Sequence, residues 1–163
     1  METKNPNIEQ KQIFFKVYQN LLQLENAIQI IKEKDSNSKL QISILVKITK
    51  NNSTKEKISK ATIDVMKMDC EKILGDTVAF GSFYDSNIGE VFIVGALAPI
   101  FLYKIGGKVL AEMSTGIYGV LRGLGASRID TEVFLKHINT RSCILIMRGY
   151  DYDFELVEDV LIK

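Results

Sequence analysis

All but one of the 11 glycines fall between Gly75 and Gly125, the exception being Gly149. No other feature constrains the fold as much. Glycine inside regular structure costs stability, so it concentrates where a turn or a close backbone approach demands it. The same stretch holds an apolar run, Val91 to Tyr103 (VFIVGALAPIFLY), followed by GGKVLAEMSTGIYGVLRGLG. Lys108–Leu124 is predicted as a helix with Leu110, Met113, Ile117, Val120, Leu121 and Leu124 along one ridge. Gly116, Gly119 and Gly123 form a second strip, with Glu112 in line one turn earlier. Three helical glycines cost roughly 1 kcal/mol each against alanine, a cost tolerated where another backbone packs closely. That strip with Glu112 is the candidate interface. If it is buried, the Glu112 carboxylate needs a partner from elsewhere in the fold or from another subunit.

The flanks carry ordinary α+β signals. IFFKVY (Ile13–Tyr18) is rich in strand formers. Asn20 is placed to cap a helix whose apolar positions are Leu21, Leu24, Ala27, Ile28 and Ile31. Leu40, Ile42, Ile44, Val46 and Ile48 alternate with Gln41, Ser43 and Lys47, which predicts a strand with one buried and one polar face. Strand, amphipathic helix and strand together predict a parallel βαβ pair. Ser53 and Glu56 have capping-box spacing, so a second helix is expected to about Leu74, ended by Gly75-Asp76. Thr77–Phe83 reads as a strand and Asp85-Ser86-Asn87 as a turn. Val91–Tyr103 reads as two short extended legs around Gly95–Pro99. Ser127 or Asp130 caps a helix to about Asn139, and Ser142–Arg148 lacks alternation, as a central strand covered on both faces does. The acidic tail offers Phe154, Leu156, Val157 and Val160 for docking as a short helix or edge strand. At 163 residues the chain reads as one α+β domain, residues 1–163. Residues 1–12 are its flexible N-terminus, and 50–125 form a mostly helical insert between two sheet halves.

Composition bounds the function classes. A formal net charge of +1 gives no electrostatic reason to expect nucleic acid. The N-terminus is polar, and no stretch reaches the roughly 18–20 apolar residues of a spanning helix. Cys70 and Cys143, each in an apolar segment, read as buried reduced thiols of a cytoplasmic protein. One histidine, His137, reads as a core or boundary residue, and no cluster has metal-ligand spacing, so neither metal nor cofactor is expected. Gly123-Leu124-Gly125 ends a helix, the reverse of the order a phosphate loop needs. Gly106-Gly107-Lys108 reads as a turn opening the long helix, with anion binding the lesser alternative. Asp151, Asp153, Glu155, Glu158 and Asp159 lack calcium-loop spacing and read as a solvated tail.

Two stretches also carry a family resemblance. IFFKVYQNLLQLENAIQIIKE at the front and GGKVLAEMSTGIYGVLRGLGASRIDTEVFLKHINTRSCILIMRG at the back cover a little under half the chain. They resemble a bacterial family of undefined function related to general-stress and heat-induced proteins. The resemblance implies ferredoxin-like halves flanking a glycine-rich helical stretch and a role in stress response, and it carries no catalytic residue. The leading expectation is a non-enzymatic module that self-associates as a homodimer or packs a partner protein. The contact would be the Gly116/Gly119/Gly123 face and the 91–103 segment. The first alternative is a small-molecule-binding regulatory domain with a pocket lined by Phe92, Phe101, Tyr103, Met113 and Tyr118. The second is a peripheral membrane protein with 91–105 as an interfacial wedge.

Overall fold

The structure, a computed structural model, describes residues 10–35, 39–48, 60–75, 79–86, 88–138, 143–155 and 157–159. It is α+β, with a five-stranded antiparallel sheet and six helices among those residues. In chain order these are β1 (Gln12–Tyr18), α1 (Leu21–Lys34), β2 (Gln41–Lys47), α2 (Lys60–Leu74), β3 (Phe80–Asp85) and β4 (Gly89–Gly95). There follow α3 (Ala98–Phe101), a small hairpin of β5 (Lys104–Ile105) and β6 (Lys108–Val109), and a 3-10 turn at Leu110–Glu112. The chain then forms α4 (Gly116–Gly123), α5 (Arg128–Ile138), β7 (Cys143–Gly149) and α6 (Asp151–Glu155).

The sheet order is β1-β7-β2-β4-β3. β1 and β2 run parallel, as the βαβ pattern predicts, but they are not neighbours: β7 lies between them and pairs antiparallel with both. Local patterning could not reveal this insertion. It arises because β7 is buried on both faces and can serve two strands at once. The segment expected as a mostly helical insert supplies two strands of the same sheet, β3 and β4.

Helices cover both faces. On one, Ile13, Phe15, Val17, Leu45, Val91, Ile93, Ile144 and Ile146 pack against α3, α4 and α5. On the other, Ile44, Phe92, Val94, Leu145 and Met147 pack against α1, α2 and Val157. The polar face expected of β2 is therefore buried too. Leu45 fills it, and Ser43 is tolerated there because its hydroxyl accepts the Leu97 amide at 2.7 Å.

Caps follow sequence logic where they are local. Asn20 Oδ1 accepts the Gln23 amide at 2.9 Å and starts α1, whose buried face is Leu24, Ala27, Ile28 and Ile31. Ser127, rather than Asp130, caps α5, its Oγ accepting the Asp130 amide. Ser53–Glu56 lies outside the described residues, as do Leu156 and Val160. The tail docks as helix: Phe154 lies against Phe14 at 6.4 Å, and Val157 is fully buried.

The central segment differs most from expectation. The second leg of 91–103 is a helical turn, α3, with Pro99 in its first turn, where no intrahelical amide bond is lost. Helix 108–124 does not form as one unit. Gly106 and Gly107 both have positive φ (58° and 83°), the geometry of a type I′ hairpin turn, so Lys108–Val109 returns as a strand. Only Gly116–Gly123 is α-helical, and it ends in a Schellman motif: Gly125 donates to Arg122 and Ala126 to Leu121.

Candidate functional site

The interface residues predicted on one helix face are divided by this break. Glu112 lies in the 3-10 turn, and its Oε1 accepts the Tyr84 amide at 2.8 Å. Glu112 is exposed, so the expected burial does not hold, and the acceptor role of its carboxylate is toward the backbone of strand β3. Gly116 is the first residue of α4 with φ +53°, and a Cβ there would sit 2.8 Å from the Asp85 carboxylate. A Cβ at Gly119 would strike the Thr115 side chain, whereas one at Gly123 would meet nothing within 4 Å. Gly116 and Gly119 are crowded by different neighbours and Gly123 by none, and the structure does not align them with Glu112 as a strip.

The residues expected to line a pocket are not brought together either. Phe92 points into the α1/α2 side of the sheet. Phe101 is buried on the opposite side and stacks on Phe83 at 6.0 Å. Tyr103 is 63% exposed, and Met113 and Tyr118 are half-buried. A shallow cleft of about 300 Å³ lies elsewhere, between α1 and α2, lined by Glu25, Gln29, Lys32, Glu33, Lys72 and Ile73. Lys32 Nζ is engaged there with the Ile73 carbonyl at 2.9 Å. Its mixed charges show no nucleophile beside a base.

Other candidate groups are placed as follows. Cys70 and Cys143 are buried and free. Burial first, then Asp69 and Cys143, pushes the Cys70 thiol up to about 12, and burial raises Cys143 as well. Both are held as thiols, the unreactive form. His137 lies on the exposed side of α5, not in the core, because Phe134 and Ile138 take the buried positions. Asp153 departs from the solvated tail: it is 4% exposed and accepts the Tyr150 amide at 2.9 Å, capping α6. Among the described residues no group of His, Cys, Asp and Glu could hold a metal ion, and no helix is long and apolar enough to cross a membrane.

A different feature, which the sequence pattern did not point to, separates the two edges of the sheet. The β3 edge is contacted by the chain's own glycine-rich segment: Glu112 takes the Tyr84 amide. The β1 edge is not. β1 pairs with β7 in unbroken register from Gln12 opposite Gly149 to Tyr18 opposite Cys143. Among the described residues nothing beyond this ladder bonds the backbone of Ile13, Phe15 or Val17. The signal was present in QIFFKVY, a run of strand formers with one charge and no proline, but an edge becomes visible only once the strand order is known. Compared with family models, with curated proteins and with solved structures, the chain has no match.

Proposed function

We propose that this chain is a non-enzymatic interaction module that works by adding an extended strand to its β1 edge. One observation carries the reading: the glycine-rich segment takes an outward amide of β3, whereas among the described residues nothing bonds the outward backbone of Ile13, Phe15 and Val17 in β1. An open edge presents a row of unpaired N–H and C=O groups, a template for another chain. The split arrangement, with β7 between the parallel strands of β1-α1-β2, supports the ferredoxin-like reading of that half. A setting in bacterial stress response rests on the resemblance of the front and back segments alone.

The test is residue-resolved amide exchange on the outward groups of β1. Protection at high protein concentration that disappears on dilution is expected. Fast exchange at every concentration, or protection that survives dilution, overturns the reading.

A second reading has one observation in its favour. Tyr103 (63% exposed), just before the β5–β6 hairpin, and Ile105 (49%), beside its turn, lie close to Lys104 and Lys108, a composition suited to an anionic lipid surface. Flotation with anionic vesicles, absent with neutral ones and lost in Tyr103→Ser/Ile105→Ser, would support it. Much of the 91–105 wedge cannot take part, because Val91 to Val94, Leu97, Ala98 and Phe101 are core.

A further inference from the structure

We infer that the strand added at the β1 edge is β1 of a second copy of this chain, antiparallel about a two-fold axis at Phe15. The inference rests on the edge reading above and names its partner.

The hydrogen-bond phase of the sheet decides which groups face outward. Ala96 donates to the Ile42 carbonyl, and Ile48 donates to Glu90, so the even-numbered residues of β2 bond toward β4. Successive residues of an antiparallel strand bond to opposite sides. Gln41, Ser43 and Leu45 therefore bond to Arg148, Ile146 and Ile144 of β7. That leaves Cys143, Leu145, Met147 and Gly149 to bond Tyr18, Lys16, Phe14 and Gln12. The backbone groups of Ile13, Phe15 and Val17 point away from the sheet.

These outward residues are self-complementary. With Phe15 opposite its counterpart, Ile13 lies opposite Val17 of the second copy, and every outward residue of β1 has a partner. Each of the three gives one N–H and receives one, about six bonds in all. On the α5 face the pairs are apolar against apolar. On the other face Phe14 meets the second copy's Lys16, an ammonium opposite an aromatic ring. Lys16 already lies over the Tyr18 ring at 5.5 Å. Slipping the register toward the C-terminal end of β1 would oppose Lys16 to its own counterpart and lose outward pairs; like charges directly opposed are destabilising.

Closure argues for a second copy as the occupant. A pair formed through β1 has only β3 edges left, and there the Glu112 carboxylate already takes the outward Tyr84 amide. Growth stops at two copies, an isologous dimer rather than a fibre.

The experiment uses the purified full chain, with light scattering on size exclusion over a concentration series and amide exchange at Ile13, Phe15 and Val17 in the same samples. A dimer whose outward amides are protected is expected. Val17→Pro removes an N–H that faces outward, so the β7 ladder keeps its bonds. It should weaken the dimer on the order of 10- to 100-fold through the two bonds lost, with unchanged circular dichroism of the monomer. Lys16→Cys carrying a spin label keeps the test open if the proline variant fails to fold. The two label sites sit diagonally across the axis, roughly 7–8 Å apart at the backbone, so inter-label distances under about 20 Å are expected. A complex that protects the outward amides but weighs one copy plus a different chain overturns the second copy and leaves the edge reading standing. A dimer with exposed outward amides, or a monomer with exposed ones, overturns both.

Discussion

Gly95→Ala tests the placement of β4 against β2 at the centre of the sheet. Gly95 ends β4 opposite Ser43 with φ +123°, a conformation that side chains rarely adopt. A Cβ there would run into the Ile42 carbonyl and come within 2.7 Å of the Ser43 Cα and 2.8 Å of its Oγ. Two of those atoms are backbone of a central strand, and the third is the hydroxyl that accepts the buried Leu97 amide. None can retreat cheaply. Strain at such a φ costs about 1–3 kcal/mol, and overpacking a well-filled core adds about 1–3 kcal/mol. The sum centres near 4 kcal/mol, and at about 2–4 °C per kcal/mol for a chain of this size the melting midpoint should fall by about 8–16 °C. Calorimetry reads it directly. Amide exchange should accelerate at Leu97, whose acceptor is displaced. A midpoint within about 3 °C of wild type, with the native spectrum intact, would refute the reasoning and mean that β4 does not press on Ser43.

Gly116→Ala should destabilise by about 1–2 kcal/mol through its left-handed φ and more if the Asp85 carboxylate cannot swing aside. Gly123→Ala, with open space and helical backbone, should be neutral or stabilising by up to about 1 kcal/mol in chemical denaturation. Glu112→Ala should cost about 0.5–1.5 kcal/mol and speed exchange of the Tyr84 amide, since it removes that amide's acceptor. The Cys70 thiol, ordinarily near 9, is raised to about 12, so the unfolded chain releases this proton before the folded one does. Stability from the buried thiol is complete below about pH 9 and is lost as pH climbs toward 12. Between those values Cys70→Ala should therefore show a shallower fall of melting temperature than wild type. A thiol reagent at pH 8 should modify neither cysteine until denaturant is added.

What was legible in the chain was local. Asn20 before Leu24, Ile28 and Ile31 gave α1 with its cap, and the unalternating CILIMRG gave a strand buried on both faces. Helix 108–124 failed because Leu110, Met113 and Ile117 fit helical spacing while the backbone did not. The Gly106-Gly107 pair between Lys104-Ile105 and Lys108-Val109 is itself a hairpin signal, and Gly116 adopts a φ that ordinary helix lacks. β2 read as one-sided because Ser43 counted as polar, although a serine whose hydroxyl takes a buried amide is a core residue. The position of β7 between β1 and β2 depends on pairings about a hundred residues or more apart in sequence, and no window of residues carries that. The candidate site shared this limit, since an edge is a property of strand order.

The glycine concentration acquires a different meaning from the one its periodicity suggested. Gly75, Gly89, Gly95, Gly106, Gly107, Gly116 and Gly125 all take positive φ. Most of that stretch is therefore shaping turns, and the turns fold the chain back over β3. Gly81 leaves room for Leu102, the type I′ hairpin carries the chain to the 3-10 turn, and the turn delivers Glu112 to the Tyr84 amide. Proteins blunt sheet edges with charges, proline, bulges or covering segments. Among the described residues a covering segment reaches β3, and β1 has only the charge of Lys16. Among the described residues this difference between the two edges is what the proposed strand addition at β1 rests on.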